Sequence, residues 1–140
     1  MATLFTRIID GELPGTFVWR DDVCVAFLSI APLRPGHTLV VPRAEVDHWI
    51  DLPAATTAHL MGVAHEIGAA QMDAFTPARI GLIIAGLEVP HTHLHVVPID
   101  AERDLSFANA DGNATPESLA AAADRLRAAL TARAATGVSD

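Results

Sequence analysis

Three histidines at alternating positions, in the segment His91-Thr92-His93-Leu94-His95, constrain this chain more than any other feature of its sequence. Successive side chains of a β-strand point to opposite faces, so a strand here places the imidazoles on one face and Thr92 and Leu94 on the other. The apolar face suits packing against a helix, whereas a row of imidazoles is not what a buried core requires. The segment predicts a strand over residues 91–99 with one chemically active face.

The rest of the sequence predicts an antiparallel α+β domain. The helical spacing of Leu60, Val63 and Ile67 predicts a long helix over about residues 53–74, between the third and fourth strands. A second helix is expected after Thr115 and should end before residue 137, and Thr3 is placed to cap a short helix near the N-terminus. The predicted strands are 17–19, 23–28, 37–41, 79–85 and 91–99.

The composition excludes several classes of protein. The 140 residues are 51% hydrophobic and 19% charged, as in globular domains, and no apolar run approaches the roughly 18 residues of a membrane helix. The net charge is −8, there is no lysine, and the arginines are scattered, so we expect no nucleic acid polymer as a partner. The single cysteine, Cys24, and the absence of a recognisable signal peptide favour a cytoplasmic protein.

The histidine row is compatible with three roles. A purely structural role is hard to assign to three of the seven histidines at alternate positions. A zinc site could use two of them with His37 or His48, although i and i+4 lie roughly 13 Å apart along a strand and no cysteine pair is present. Nucleophilic catalysis is favoured, because neutral imidazole attacks phosphorus near neutral pH while flanking imidazoles stabilise phosphoryl charge.

The His-x-His-x-His pattern resembles the defining motif of the histidine triad (HIT) family, and the chain is similar to its nucleotide-binding branch. Residues 4–14, 21–28 and 35–43 resemble further blocks of the family in the same order, so the likeness covers about residues 4–98. The resemblance implies one HIT domain over residues 1–140, with an extension from about residue 99 that ends in a helix. It also implies a mainly antiparallel five-stranded sheet with one long central helix, commonly in a homodimer whose sheets join.

The resemblance further implies an activity, namely attack on the α-phosphorus of a nucleoside phosphate derivative such as a nucleoside phosphoramidate. His93 would be the nucleophile that forms a covalent nucleotidyl-histidine intermediate. His95 would contact the phosphate, and His91 would orient the site, its backbone carbonyl holding the far ring nitrogen of His93. His37 would be an additional histidine of the same site.

The substrate-binding positions include both matches and departures. Phe5, Ile8 and Leu39 match positions that form the apolar base pocket of the family. Ser29 stands where many members carry an aspartate for the ribose hydroxyls. Glu88 stands where a serine commonly assists the leaving group, and a carboxylate repels a phosphate unless it is protonated or paired. Glu88 is therefore interpreted either as a general acid or as a recognition group for a cationic leaving group.

These observations favour an enzyme, a nucleotidyl hydrolase or transferase that needs no cofactor. We also expect no metal, because the cysteine pair of zinc-binding members is absent. The expected partners are a small nucleotide or nucleoside phosphate derivative and a second copy of the chain, with no membrane. The changes at Ser29 and Glu88 keep an alternative open, a nucleotide-binding or interaction module with little turnover.

Overall fold

The computed structural model describes residues 1–140 and consists of one sheet, three α-helices and three short 3₁₀ helices. The α-helices are α1 (Leu4–Ile9), α2 (Ala54–Phe75) and α3 (Pro116–Ala132). The strands are β1 (Phe17–Arg20), β2 (Cys24–Leu28), β3 (Thr38–Pro42), β4 (Arg79–Ile83) and β5 (Leu94–Ile99). The 3₁₀ helices are Trp49–Asp51, Glu102–Leu105 and Phe107–Asn109. No helix has both the length and the hydropathy needed to span a membrane.

The sheet has the strand order β1-β2-β3-β5-β4, and every neighbouring pair is antiparallel. The predicted α+β class with five antiparallel strands and one long helix is confirmed. The histidine-bearing strand β5 lies between β3 and β4, with Leu39 opposite His95 and Val40 opposite Leu94. β4 is an edge strand, so one side of its backbone has no partner within the chain.

The strand that carries the histidines begins later than predicted. β5 starts at Leu94 rather than at residue 91, because the ladder with β3 ends at the pair Val40–Leu94 and the residues before Leu94 bond elsewhere. The backbone N–H of Thr92 instead donates to the carbonyl of Val46 at 2.7 Å. His91 and the next two residues therefore form an irregular lead-in to the strand. β4 is also shorter than predicted and ends at Ile83 rather than at residue 85.

The two faces of the sheet pack against different partners. Leu94 and Val96 of β5 belong to an 18-residue core cluster that includes Leu60 and Ile67 of α2 and Leu126 of α3. The apolar face predicted for the histidine segment is thus confirmed, because it packs against helices. A smaller cluster on Phe5, Phe17, Val25, Phe27, Leu39 and Val41 joins α1 to strands β1, β2 and β3.

Helix caps follow the sequence signals closely. The Thr3 hydroxyl accepts a hydrogen bond from the Thr6 N–H at 3.1 Å and begins α1, and the Thr115 hydroxyl accepts from the Ser118 N–H at 3.0 Å and begins α3. Gly36, with φ of +90°, lies so close to the Phe75 ring that a Cβ would come within 2.5 Å of it. This close approach fixes the backbone immediately before His37.

Candidate active site

The structure brings four histidines into one contiguous group. The ring centroids of His93 and His95 are 4.9 Å apart, and those of His37 and His95 are 5.1 Å apart. The Phe5 ring lies edge-on to His93 at 4.9 Å and to His91 at 5.8 Å. Residues from α1, β3, β5 and the lead-in to β5 thus converge at one place, although they are distant in sequence.

His93 is held in one neutral tautomer. Its Nδ1 lies 2.8 Å from the backbone carbonyl of His91, and a carbonyl only accepts, so Nδ1 carries the proton and Nε2 carries the free lone pair. Nε2 of His93 makes no hydrogen bond within the chain. Gln71 Oε1 is the one buried side-chain nitrogen or oxygen atom that lacks a partner, so Nε2 of His93 is not buried and is accessible. The arrangement leaves an imidazole nitrogen ready to act as a nucleophile.

His91 is fully buried and both of its ring nitrogens are occupied. Nε2 donates to the carbonyl of Pro42 at 2.7 Å, and Nδ1 lies 2.7 Å from the Thr3 hydroxyl, which donates to it. The ring has no free nitrogen for a substrate. The backbone carbonyl of His91 is the acceptor for Nδ1 of His93, so the fixed His91 residue holds the group that orients His93.

His37 and His95 form a relay of hydrogen bonds with a defined direction. The backbone N–H of Leu33 donates to Nδ1 of His37 at 3.0 Å, so in the neutral ring the proton is on Nε2. Nε2 of His37 lies 2.9 Å from Nδ1 of His95 and donates to it. The proton of His95 is therefore on Nε2, and His95 presents an N–H donor rather than a lone pair.

Burial favours the neutral form of His37, His93 and His95. Desolvation, together with repulsion from the neighbouring histidines, lowers the pKa of His37 to about 3 and that of His95 to about 4. Burial also lowers the pKa of His93, although its hydrogen bond to the His91 carbonyl opposes the shift. Neutral rings are required both for a nucleophilic lone pair and for the hydrogen-bond directions given above.

An apolar pocket of about 470 Å³ adjoins this group. Phe5, Ile8 and Leu39, the three predicted base-pocket residues, all line it, and Ser29 lies on its rim. Pro116 and Leu119 of α3 also line the pocket. The sequence predicts the helix that carries these two residues, but no motif in it indicates that the helix approaches the site. The C-terminal helix therefore helps to enclose the pocket.

Neither of the two positions that depart from the family pattern is fully buried. Ser29 is half-buried, and its hydroxyl accepts a hydrogen bond from the N–H of Ala31 at 3.2 Å. Glu88 is exposed, and its negative charge raises the pKa of His93, which opposes the effect of burial.

Phe107 is a residue of the site that sequence analysis did not identify. Its ring centroid lies 5.1 Å from that of His95, at an interplanar angle of 65°. The signal available in the sequence was one aromatic residue in an otherwise polar segment after β5. An aromatic residue alone does not predict where the segment packs, and the segment has no family motif and no periodicity that would place Phe107 near the histidines.

One group of potential metal ligands lies outside the histidine row. Ligand atoms of Asp21, Cys24 and His59 lie within 4.8 Å of one another. Burial and the nearby Asp21 carboxylate raise the pKa of the Cys24 thiol to about 12, so the sulfur stays protonated at neutral pH. Oδ2 of Asp21 already accepts from Trp19 Nε1 and contacts His59 Nε2, each at 2.8 Å. These contacts describe a structural hydrogen-bond cluster.

The sequence is similar to those of several known proteins. An uncharacterized HIT-like protein of Methanocaldococcus jannaschii is 32% identical over 99 residues, which is 68% of this chain and 77% of that protein. Adenylylsulfatase HINT3 of Arabidopsis thaliana is 30% identical, covering 76% of this chain and 56% of that protein. Adenosine 5′-monophosphoramidase HNT1 of Saccharomyces cerevisiae is 30% identical, covering 69% of this chain and 62% of that protein.

Solved structures share the fold over nearly the whole chain. A zinc-bound histidine triad family protein from Mycobacterium smegmatis superposes with a TM-score of 0.83 at 28% identity, covering 96% of both chains. A hypothetical histidine triad nucleotide-binding protein from Sulfolobus tokodaii superposes with a TM-score of 0.81 at 26% identity, covering 91% of both chains. The model of the HIT domain matches residues 10–102, which include all four histidines of the site. The chain belongs to the histidine triad (HIT) family.

Proposed function

We propose that this protein is a nucleotidyl hydrolase or transferase that acts on nucleoside phosphate derivatives, with a phosphoramidate as the preferred class of substrate. The observation that carries the proposal is the tautomer of His93, whose Nδ1–H is bound to the His91 carbonyl so that Nε2 is a free nucleophile. Two relatives, named adenosine 5′-monophosphoramidase and adenylylsulfatase, support the choice of an adenylyl compound as the first substrate to test.

In the first step, Nε2 of His93 attacks the α-phosphorus, a P–N bond to histidine forms, and the bond from phosphorus to the leaving nitrogen breaks. The Nε2–H of His95 donates to a phosphoryl oxygen and stabilises the charge that develops there. Nucleotidylated His93 is an imidazolium, and its Nδ1–H remains bound to the His91 carbonyl.

The departing amine needs one proton, and neither His37 nor His95 supplies it. Both rings are neutral at pH 7, so donation would leave an imidazolate. We propose that the proton comes from solvent through Glu88, an exposed carboxyl group whose charge acts on His93. In the second step water attacks phosphorus, the bond to His93 breaks, and the nucleoside monophosphate and one proton are released.

Glu88 has a second possible role, recognition of a cationic leaving group. Kinetics of Glu88→Gln on an amine-linked and a phosphate-linked adenylyl substrate separate the two roles. Recognition of a cation predicts a loss on the amine-linked substrate that is several-fold larger than the loss on the phosphate-linked one. Equal losses on both substrates would contradict recognition and leave the relay.

The apolar pocket on Phe5, Ile8 and Leu39 is the proposed site of the base. An aromatic edge and aliphatic side chains suit the face of a planar base. Ser29 on the rim is the proposed contact to the ribose, and it replaces a charged carboxylate with a neutral hydroxyl. We therefore expect weaker binding of the ribose hydroxyls than an aspartate at this position would give.

Turnover of adenosine 5′-phosphoramidate by the wild type and by His93→Ala tests this proposal. The wild type should hydrolyse the substrate, and the variant should lose about 10³-fold or more in kcat/KM. His48→Ala, which removes an exposed histidine outside the row, is the matched control and should keep its activity. Equal activity of His93→Ala and the wild type would overturn the mechanism.

The second candidate function is a nucleotide-binding module with little turnover. The exposed carboxylate of Glu88, whose charge acts on His93, favours it, because a negative charge near the site repels an anionic substrate. Tight binding of AMP by a wild type that hydrolyses no adenylyl substrate would support this function over the enzyme. Restoration of turnover by Glu88→Ser would then identify the cause.

We further propose that the chain forms a homodimer, as the family resemblance implies, and that the two copies associate through β4 and α2. β4 is an edge strand that pairs only with β5, and Leu82 on it is 38% exposed. Beside it an apolar groove of about 550 Å³ includes Met61 and Met72 of α2, each exposed by more than a third. Such an apolar patch continuous with an open sheet edge suits a two-fold interface.

Light scattering coupled to size-exclusion chromatography tests the dimer. The wild type should elute at twice the chain mass, and Leu82→Arg should shift to the monomer because the buried charge is unpaired. Ile50→Ala, on an exposed residue away from the groove, should remain dimeric. A monomeric wild type at tens of micromolar would contradict the proposal.

The reduced thiol Cys24 and the composition also fit the cytoplasmic location inferred above.

A further inference from the structure

His37 lies just outside the strand ladder that carries His95. The ladder between β3 and β5 ends at the pair Thr38–Val96, whereas His95 lies inside it, opposite Leu39. The hydrogen bond of 2.9 Å between the two imidazoles therefore joins a residue within the ladder to a residue beyond its end. The hydrogen bonds of the ladder do not by themselves fix the distance between these two rings.

The buried side chain of Gln71, on α2, spans this end of the ladder. Its Nε2 donates to the carbonyl of Gly36 at 2.9 Å and to the carbonyl of Val96 at 2.9 Å. Gly36 directly precedes His37 in the chain, and Val96 directly follows His95. One amide group thus holds the backbone beside both relay histidines, and no other side chain donates to both of these segments.

The chemistry of the two acceptors requires this kind of side chain. Carbonyl oxygens only accept, so the two cannot bond to each other, whereas an uncharged carboxamide offers two N–H donors. A methionine or leucine has no donor, and a neutral carboxyl group has one. Thr38 also donates to the Gly36 carbonyl, at 2.8 Å, but that bond joins two residues of one segment and does not reach β5.

The amide of Gln71 is costly at its other atom. Gln71 is 0% exposed, and its Oε1 has no hydrogen-bond partner. A buried polar atom without a partner destabilises the folded state. Every other buried residue of α2 is apolar or glycine. A glutamine at this position is therefore explained by what its N–H groups hold and not by core packing.

We propose that Gln71 is a positioning residue of the active site, which holds His37 and His95 at hydrogen-bonding distance. The inference rests on the proposed function, in which the Nε2–H of His95 donates to a phosphoryl oxygen. This donation gains strength as charge develops in the transition state, so Gln71 should affect kcat and leave KM nearly unchanged. Because α2 packs on the apolar face of the sheet, Gln71 acts through the relay and contacts no substrate.

Nuclear magnetic resonance of protein that carries ¹⁵N-labelled histidine tests the proposal without turnover. A scalar coupling across the hydrogen bond from Nε2 of His37 to Nδ1 of His95 should be present in the wild type. Gln71→Met, which removes both donors and keeps an unbranched side chain, should lose it. Gln71→Glu, whose neutral carboxyl group keeps one donor, should show a weaker coupling and serves as the second variant if Gln71→Met does not fold.

Ile67→Val is the matched control for these variants. It shortens a buried apolar side chain of the same helix and removes no hydrogen bond. Ile67→Val should keep the coupling between the two imidazoles. A coupling that is unchanged in a folded Gln71 variant, or absent from the wild type, would overturn the proposal.

Kinetics on adenosine phosphoramidate provide the second measurement. Gln71→Met should lower kcat about tenfold and change KM by less than about twofold. In a His37→Leu background the same change should have no further effect on kcat, because the relay is already absent. An equal loss of kcat in both backgrounds would show a purely structural role and overturn the proposal.

The two measurements separate this proposal from the proposed function. Loss of the coupling in Gln71→Met of a protein that hydrolyses no phosphoramidate would contradict the proposed enzyme and still support Gln71 as the residue that positions the relay. Hydrolysis by a wild type whose coupling does not depend on Gln71 would support the enzyme and overturn the role of Gln71.

Discussion

Nε2 of His37 lies 2.9 Å from Nδ1 of His95, and this contact sets which nitrogen of His95 faces the substrate. The Leu33 N–H donates to Nδ1 of His37 at 3.0 Å, so the proton of the neutral His37 ring is on Nε2, which donates to His95. A backbone donor in a loop thus determines that His95 offers a hydrogen to the phosphate. His37 acts through His95 and is a positioning residue in this account.

Replacing His37 should therefore reduce activity more when the new side chain cannot donate a hydrogen bond to Nδ1 of His95 than when it can. His37→Leu removes the hydrogen bond to His95 and should lower kcat/KM on adenosine phosphoramidate by about 10- to 100-fold. His37→Gln keeps an N–H donor near Nε2 and should lose less than about tenfold. Equal losses in the two variants would show that His37 contributes packing alone.

The buried histidines should make stability depend on pH in the weakly acid range. In the unfolded chain histidines take up protons below about pH 6.5, whereas the folded state resists protonation until about 4 at His95 and about 3 at His37. Unfolding therefore takes up protons in this window, and the free energy of unfolding falls as the pH drops below 6.5. Each histidine contributes at most about 1.4 kcal/mol per pH unit.

Urea denaturation at pH 7, 6 and 5 measures this dependence. Above pH 6.5 the histidine contribution is fully present, so the curves should be nearly constant there and shift to lower urea at pH 5. His37→Gln should show a smaller decrease, because one of the two strongly shifted groups is gone. A free energy of unfolding that is the same at pH 7 and pH 5 would contradict the neutral assignment.

Removal of the Glu88 charge should shift the acid limb of the pH–rate profile. The carboxylate raises the pKa of His93, so Glu88→Gln should lower that pKa further. Protonation of His93 abolishes its nucleophilic lone pair, and the acid limb of kcat/KM should move to lower pH in the variant. Glu117→Gln, an exposed residue in the first turn of α3, should leave the limb unchanged. An unmoved limb in Glu88→Gln would show that the two groups do not interact.

Asp21 should be a stability determinant of the β1–β2 turn. Oδ1 accepts from the N–H groups of Val23 and Cys24, and Oδ2 accepts from Trp19. Burial raises the pKa of Asp21, but the hydrogen bonds outweigh it and hold that pKa well below its usual range. Asp21→Asn replaces one acceptor oxygen with a donor and should cost about 1–3 kcal/mol. Asp22→Asn, next to it and exposed, is the control, and equal effects of the two changes in thermal denaturation would contradict this role.

Much of the fold could be predicted from the sequence, because strand alternation and helix caps are local. The caps at Thr3 and Thr115 and the long helix α2 were predicted to within a few residues. The start of β5 was predicted three residues too early. The Thr92 N–H bonds to the carbonyl of Val46 instead of continuing the ladder with β3, and no local pattern around His91 reveals this contact.

The residues of the site that lie within recognisable sequence motifs could be predicted, and those outside the motifs could not. The four histidines, Phe5, Ile8 and Leu39 were identified, and the structure places them together. Phe107 and Leu119 were not, because their approach to the site depends on how the C-terminal extension packs back over the sheet. The directions of the hydrogen bonds also required three-dimensional contacts, since the donor to His37 is a backbone N–H four residues away.

The most direct test of the central claim is detection of the nucleotidyl-histidine intermediate. An adenosine phosphoramidate labelled in the nucleoside is mixed with excess enzyme, quenched in denaturant, and the protein is digested and analysed by mass spectrometry. The account predicts label on the peptide that contains His93 in the wild type, and none in His93→Ala. Hydrolysis by the wild type without any labelled protein, or label on another residue, would contradict it.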